Sequence, residues 1–144
     1  MSHNLKIHTP KGEHWIGENY PCFIVAELSA NHGQDINKAK EIIRQSAAAG
    51  VDAIKLQTYL PSTMTLDCDG EHFMVGGKTS PGEWKDQTLY QLYQKAYTPW
   101  EWHPELQKLS EELGLVFFST PFDGTAVDFL ESLNVPLYKI ASYE

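Results

Sequence analysis

Three stretches that otherwise read as buried strands carry polar residues where a core strand should be apolar. In DAIKLQT, alternation puts Ala53, Lys55 and Gln57 on one face and Ile54 and Leu56 on the other. In PLYKIAS, Lys139 and Ala141 share a face opposite Tyr138 and Ile140, and CFIVAEL carries Glu27 near its end. An ammonium buried alone is costly, so each lysine has to be paired or to line a wet pocket. Two lysines and a glutamate meeting at one end of a sheet, with Ser119, Thr120, Ser142 and Glu144 close by in sequence, call for an anion. A carboxylate together with a phosphate is the simplest one. The plainer alternative is an internal ion pair of Lys55 with Glu27, which leaves Lys139 unmatched.

The remaining polar candidates point to chemistry less directly. His32 follows Asn31 in the loop after the first core strand. It reads as an exposed loop residue or a sugar contact ahead of a metal ligand. His72 and His103 read as solvent-facing or locally hydrogen-bonded residues. Trp84, Trp100 and Trp102 read as core beneath a long connection rather than as a sugar-stacking platform. Asp67, Asp69 and Glu71 lack the spacing and terminal glutamate of a calcium loop, and read as a solvated acidic loop. Cys22 and Cys68 stand in no CxxC or Cys/His cluster, so neither a zinc site nor a disulfide framework is expected.

The elements that would position these residues alternate along the chain. LKIH, a Pro-Lys-Gly-Glu turn and HWIG predict a hairpin within residues 4–20. Strand one is Cys22 to Leu28. A helix from Ile36 to Ala49 follows, with Ile36, Ala39, Ile43 and Ala47 at helical spacing and Gly50 as its stop. Strand two is Asp52 to Thr58. A long connection from Tyr59 to Tyr97 holds a helix from about Gly82 to Ala96. Thr98-Pro99-Trp100-Glu101 has the form of a capping box, opening a helix with Trp102, Leu106, Leu109 and Leu113 on one face. Strand three is Leu115 to Thr120. A helix from Thr125 to Leu133 presents Val127, Leu130 and Leu133, and strand four is Pro136 to Ser142. This alternation gives an α/β fold with a parallel sheet, either doubly wound or half of an eight-stranded barrel. No Gly-rich GxGxxG turn follows strand one, which counts against dinucleotide binding.

Composition excludes other classes. The chain has 144 residues, 42% hydrophobic and 21% charged, enough for one domain with a core. Its net charge of −8 argues against nucleic acid or an anionic membrane as partner. No apolar run approaches the roughly 20 residues of a membrane span, and the N-terminus has no apolar signal region, so a cytoplasmic location is the default expectation.

Four motifs agree in order with one family. FIVAELSANH, DAIKLQTYLPSTMTLDCD, TLYQLYQKAYTPWEWH and FFSTPFDGTAVDFLESLNVPLYKIASYE resemble the synthases that make sialic acid and its bacterial relatives. The DCD loop and LYQLYQKAYTPWEWH are more similar to the pseudaminic branch than to the N-acetylneuraminate or legionaminic branches. The resemblance implies the N-terminal half of a (β/α)8 TIM barrel preceded by a short β-hairpin. Residues 1–20 would be the hairpin and residues 21–144 strands one to four. The second half of the barrel and an antifreeze-like domain would lie outside the chain.

The same resemblance implies a reaction and a set of roles. Phosphoenolpyruvate condenses with an acetamido sugar, here 2,4-diacetamido-2,4,6-trideoxy-L-altrose, and phosphate leaves. A divalent metal, manganese or magnesium, assists by polarising the sugar aldehyde, and its ligands are expected in the missing half. Lys55, Thr120, Lys139 and Ser142 match the residues that hold the carboxylate and phosphate of phosphoenolpyruvate. Gln57 matches a residue that lines the sugar site, Asn31 and His32 match the loop after strand one, and Glu27 and Glu144 match acidic residues near the metal and the reacting sugar. In that loop Gly33-Gln34 departs from the family's more usual Asn-Gly. A homodimer is implied for the full-length enzyme, in which the antifreeze-like domain closes the partner's site. A complete barrel takes about 250 residues. Little synthase activity is therefore expected of the 144-residue chain by itself. Two competing readings are a Schiff-base aldolase with Lys139 as the covalent amine, and a non-catalytic half-barrel that pairs with another chain.

Overall fold

The computed structural model describes residues 4–76 and 87–142. The expected hairpin is present. Strands β1 (Leu5–Thr9) and β2 (Gly12–Ile16) pair antiparallel, with Thr9 opposite Gly12. The Thr9 hydroxyl donates to the Gly12 carbonyl at 2.8 Å, and Gly12 supplies the positive φ of 115° that the turn needs.

Three parallel strands follow: β3 (Val25–Glu27), β4 (Ala53–Thr58) and β5 (Val116–Pro121), in the sheet order β3-β4-β5. Helix α1 (Ile36–Ala48) joins β3 to β4. The connection from β4 to β5 contains α2 (Pro61–Met64), α3 (Leu89–Ala96) and α4 (His103–Glu112), and α5 (Gly124–Ser132) follows β5. Ile54, Leu56 and Phe117 pack with Ala39 and Ile43 of α1, Leu106 of α4 and Leu130 of α5 in one buried cluster. The crossover helices therefore lie on a single face of the sheet. A doubly wound sheet carries helices on both faces, whereas a barrel wall carries them on its outside only. The opposite face has an apolar floor of Ala53, Val116 and Phe118, with Phe23, Val25 and Leu137 beside it.

Local chemistry sets the helix ends. Asp35 caps α1 through the Asn37 amide at 2.8 Å, and Gly50 leaves it at φ 81°. Asp123 caps α5 through the Thr125 and Ala126 amides. The capping box of the long connection sits at Thr88 and Gln91, opening α3.

Several expectations need correction. Thr98 does not cap a helix: Pro99 opens a 3-10 turn over Trp100–Trp102 with no side-chain cap, and α4 begins at His103. The Thr98 hydroxyl instead lies within hydrogen-bonding distance of His32. Strand one is shorter than Cys22 to Leu28, although the ladder extends beyond it through Ala53 N–H to the Ile24 carbonyl and Leu28 N–H to the Lys55 carbonyl. Strand four is reduced to one bridge, Ser119 with Tyr138. Ile140 is 75% exposed, with nothing to pack on among the described residues. On α5 the buried face is Ala126 and Leu130, and Val127 is turned out. Residues 82–86 of the expected helix, with Trp84, lie outside the described residues.

The hairpin sits under the sheet. His14 meets Phe23 edge to face at 5.0 Å, and the Lys11 chain lies against Gly114, just ahead of β5. Among the described residues no helix is long and apolar enough to cross a membrane.

Candidate functional site

The C-terminal ends of the parallel strands bring the sequence-predicted residues together. The register sets Glu27 beside Lys55 and Gln57 beside Thr120. The bridge of Ser119 with Tyr138 carries Lys139 alongside Thr120, and Lys139 N–H donates to the Ser119 carbonyl at 3.1 Å. Neighbouring strands are about 4.8 Å apart, so these side chains share one polar band. That band lies above the floor of Ala53, Val116 and Phe118, on the face free of helices. Such an edge of a barrel wall is where active sites form. Glu144 lies outside the described residues.

Within the band the two lysines differ. Lys55 Nζ is 3.0 Å from Glu27 Oε1; its side chain is only 11% exposed, against 60% for Glu27. The internal ion pair is thus present. Lys139 Nζ donates to the Ser142 hydroxyl at 3.1 Å, a neutral partner, and among the described residues no carboxylate pairs with it. Lys55, Lys139 and Glu27 together carry one more positive charge than negative, with hydroxyl and amide donors around them. That arrangement suits an anion with several oxygens. Asn31 is exposed, and its amide nitrogen donates back to the Leu28 carbonyl at 3.1 Å, closing the turn after β3.

Beneath the mouth lies a polar layer whose burial spacing alone did not show. Of the two expectations for His103, the locally hydrogen-bonded one holds and the solvent-facing one does not: it is fully buried, its Nδ1 3.3 Å from the Pro99 carbonyl and its Nε2 2.9 Å from the Thr58 hydroxyl. Thr58 is in turn 2.6 Å from the Ser119 hydroxyl. Ser119 therefore faces the helices, and only its neighbour Thr120 shares the face of Gln57. Burial pulls the His103 pKa down from 6.5 to about 4, against the opposing effect of hydrogen bonds to the Pro99 and Trp100 backbone and of the Glu101 charge. His32 is also fully buried rather than in an exposed loop, packed edge to face on Trp102 at 5.5 Å. Burial, and secondarily the charge of Lys38, lowers its pKa. The sequence did hold one signal for His103: it falls on the same helical stripe as Leu106 and Ser110, the buried positions of α4.

His72, Asp67, Asp69 and Glu71 are exposed, as expected. Trp100 stacks on Phe129 at 4.7 Å and donates to the Tyr59 carbonyl. Cys22 and Cys68 are both free thiols. Among the described residues no three His, Cys, Asp or Glu side chains gather as a cation site. These residues by themselves do not fit a divalent cation: Glu27 is held by Lys55, and both ring nitrogens of His32 and of His103 are engaged away from the mouth.

Known proteins resemble the chain in sequence and in shape. The NeuB family profile matches residues 42–144. A pseudaminic acid synthase of Helicobacter pylori is 52% identical over 124 residues, covering 86% of this chain and 35% of that protein. One of Campylobacter jejuni is 43% identical over 122 residues, covering 85% and 34%. The crystal structure of N-acetylneuraminic acid synthetase from Leptospira borgpetersenii, in complex with citrate, superposes with a TM-score of 0.75 at 28% identity, over 97% of this chain and 41% of that one. The spore coat polysaccharide biosynthesis protein SpsE of Bacillus subtilis gives 0.70 at 29% identity, over 99% and 34%. The chain spans about a third of the length of the curated relatives it matches. With residues 42–144 matched by the profile, the chain belongs to the NeuB family.

Proposed function

We propose that this chain forms the phosphoenolpyruvate-holding wall of a nonulosonic acid synthase. The reaction joins phosphoenolpyruvate to 2,4-diacetamido-2,4,6-trideoxy-L-altrose and gives pseudaminic acid and phosphate. The observation that carries the reading is the placement of Lys55, Gln57, Thr120 and Lys139 on one helix-free face at the strand ends. Identity to two pseudaminic acid synthases favours that branch over the legionaminic and N-acetylneuraminate ones.

Each residue has a physical task. Lys55 and Lys139 attract and orient the anionic substrate, and the hydroxyls of Thr120 and Ser142 donate to its oxygens. Gln57 and Asn31 hold the acetamido sugar. Carbon three of phosphoenolpyruvate forms a bond to the aldehyde carbon as the carbonyl π bond breaks; the aldehyde oxygen takes up a proton and becomes a hydroxyl, and positive charge is left at carbon two. Water adds at carbon two and loses a proton; the hydroxyl so formed gives up its remaining proton as carbon two becomes a ketone, and the bond from that carbon to the phosphate oxygen breaks with the electron pair leaving on phosphate. Glu27 takes the proton that the water loses. Holding both reactants against one wall supplies much of the acceleration. A divalent metal, manganese or magnesium, would supply Lewis-acid polarisation of the aldehyde from ligands outside the described residues. In the same reading residues 21–144 are strands one to four of an eight-stranded barrel, residues 1–20 cover its base, Glu144 joins the acidic side of the site, and the enzyme is a cytoplasmic homodimer.

The test is phosphate release by the protein as expressed from its gene, offered phosphoenolpyruvate with the sugar of each branch. Release with the altrose sugar is expected, and Lys55→Ala should lower kcat/KM by about 100-fold or more. A preference for another branch's sugar would reassign the substrate. Activity unchanged in both Lys55→Ala and Lys139→Ala would remove the reading.

A further inference from the structure

The loop between β3 and α1 passes through three left-handed residues: Ser29, Gly33 and Gln34, with φ of 47°, 55° and 60°. Glycine adopts this conformation freely and glutamine does not. A side chain kept at such a position has to contribute something glycine lacks. At Gln34 that contribution is its amide. Nε2 donates to the Lys95 carbonyl at 3.2 Å and to the Tyr97 carbonyl at 2.5 Å, so both of its hydrogens are spent at the end of α3.

The loop is held from beneath as well. Gln34 N–H donates to His32 Nδ1 at 3.1 Å, so that nitrogen carries no hydrogen. In the neutral ring the hydrogen is then on Nε2, which donates to the Thr98 hydroxyl at 3.3 Å. Residues 32 and 34 thus reach residues 95, 97 and 98 across more than 60 positions of sequence. In the sheet order, this loop leaves the β3 edge of the mouth, whereas Thr120 and Lys139 stand at the β5 edge.

We propose that Gln34 is a positioning residue whose amide latches the Asn31 loop to the end of α3, and that this latch shapes the acetamido-sugar end of the pocket rather than the phosphoenolpyruvate end. The sugar assignment rests on the function proposed above; the latch does not.

Two variants test it. Gln34→Gly removes the amide and relieves the backbone, and Gln34→Glu keeps the shape and loses both donors. The Gly variant is expected to unfold at about the wild-type urea concentration. In both variants KM for the sugar should rise about tenfold, with KM for phosphoenolpyruvate within about twofold. Amide hydrogen exchange at residues 30–33 should accelerate about tenfold, with α1 and β5 unchanged. Exchange that stays at the wild-type rate in both variants overturns the latch, and the two KM values rising together overturns its assignment to the sugar. A wild-type protein that releases no phosphate with any acetamido sugar removes the functional reading and the sugar assignment together, and the exchange rates then decide the latch alone.

Discussion

His103 sets up a pH dependence of stability that can be worked from its contacts. The Pro99 carbonyl only accepts, so Nδ1 carries the hydrogen and Nε2 accepts from the Thr58 hydroxyl, which accepts in turn from Ser119. Protonation of Nε2 would force the Thr58 and Ser119 hydroxyls to reverse their hydrogen bonds and would place a charge in the core. The unfolded chain has no such constraint and titrates near 6.5, whereas burial holds the folded group at about 4. Between these values the unfolded state binds more protons. The stability gained by keeping the ring neutral is therefore complete above pH 6.5 and is lost progressively as pH falls toward about 4. At 1.36 kcal/mol per unit the loss comes to about 3 kcal/mol, a large share of a domain's usual 5–15 kcal/mol, an order-of-magnitude figure. Urea unfolding followed by tryptophan fluorescence, from about pH 7 to about pH 4, would measure it in the wild type and in His103→Gln. His32 also has a lowered pKa and contributes in the same direction, but it is present in both proteins and cancels in the difference. The difference between the two curves should shrink by about 3 kcal/mol across the window. A difference that stays constant with pH would refute the reasoning.

Two further outcomes follow from backbone chemistry. Asp123→Ala should cost about 1 kcal/mol in urea unfolding, because its Oδ1 accepts from the Thr125 amide at 2.8 Å and the Ala126 amide at 3.2 Å. Burial alone would raise that carboxyl's pKa, but the Thr125 hydroxyl and the two amides outweigh it and hold it below the usual aspartate value; the cost should accordingly fade only in stronger acid than the His103 window. Gly114→Ala should destabilise by about 1–2 kcal/mol, since φ is 77° there and the new methyl would displace the Lys11 chain. Faster amide exchange in the hairpin of that variant would show that Lys11 helps hold it in place.

The fold was largely legible because its signals are local. Alternation in β4 put Lys55 and Gln57 on one face, and the structure keeps Ile54 and Leu56 under the helices. The same rule, applied to adjacent Ser119 and Thr120, separates them onto opposite faces. What spacing along one segment does not carry is the partner a loop residue meets. His32 and Thr98 are 66 positions apart and Thr58 and His103 are 45 apart, so their burial is decided by how the long connection folds back. Thr98 shows the same limit. A threonine before Pro-Trp-Glu satisfies the local capping pattern, yet a distant imidazole offers its hydroxyl a buried partner. Strand four shows a related limit: PLYKIAS has the right alternation, yet among the described residues its pairing is confined to the bridge of Ser119 with Tyr138, because a ladder depends on neighbours that alternation does not supply.

The apolar floor of Ala53, Val116 and Phe118 has an electrostatic consequence for the lysine row above it. An ammonium surrounded by water is screened equally on all sides. Lys55, with Glu27 at 3.0 Å, is shielded by hydrocarbon from below and by strands at its flanks, so the part of the lysine row's field that Glu27 leaves uncompensated emerges chiefly through the open side of the sheet. At 4 Å the attraction between unit charges is about 1 kcal/mol in bulk water and about 4 kcal/mol at an effective dielectric of 20. The floor thus works as a reflector. It gives an arriving anion a direction as well as a destination, with the charged end of the molecule drawn down toward the strand ends and the neutral end left facing out.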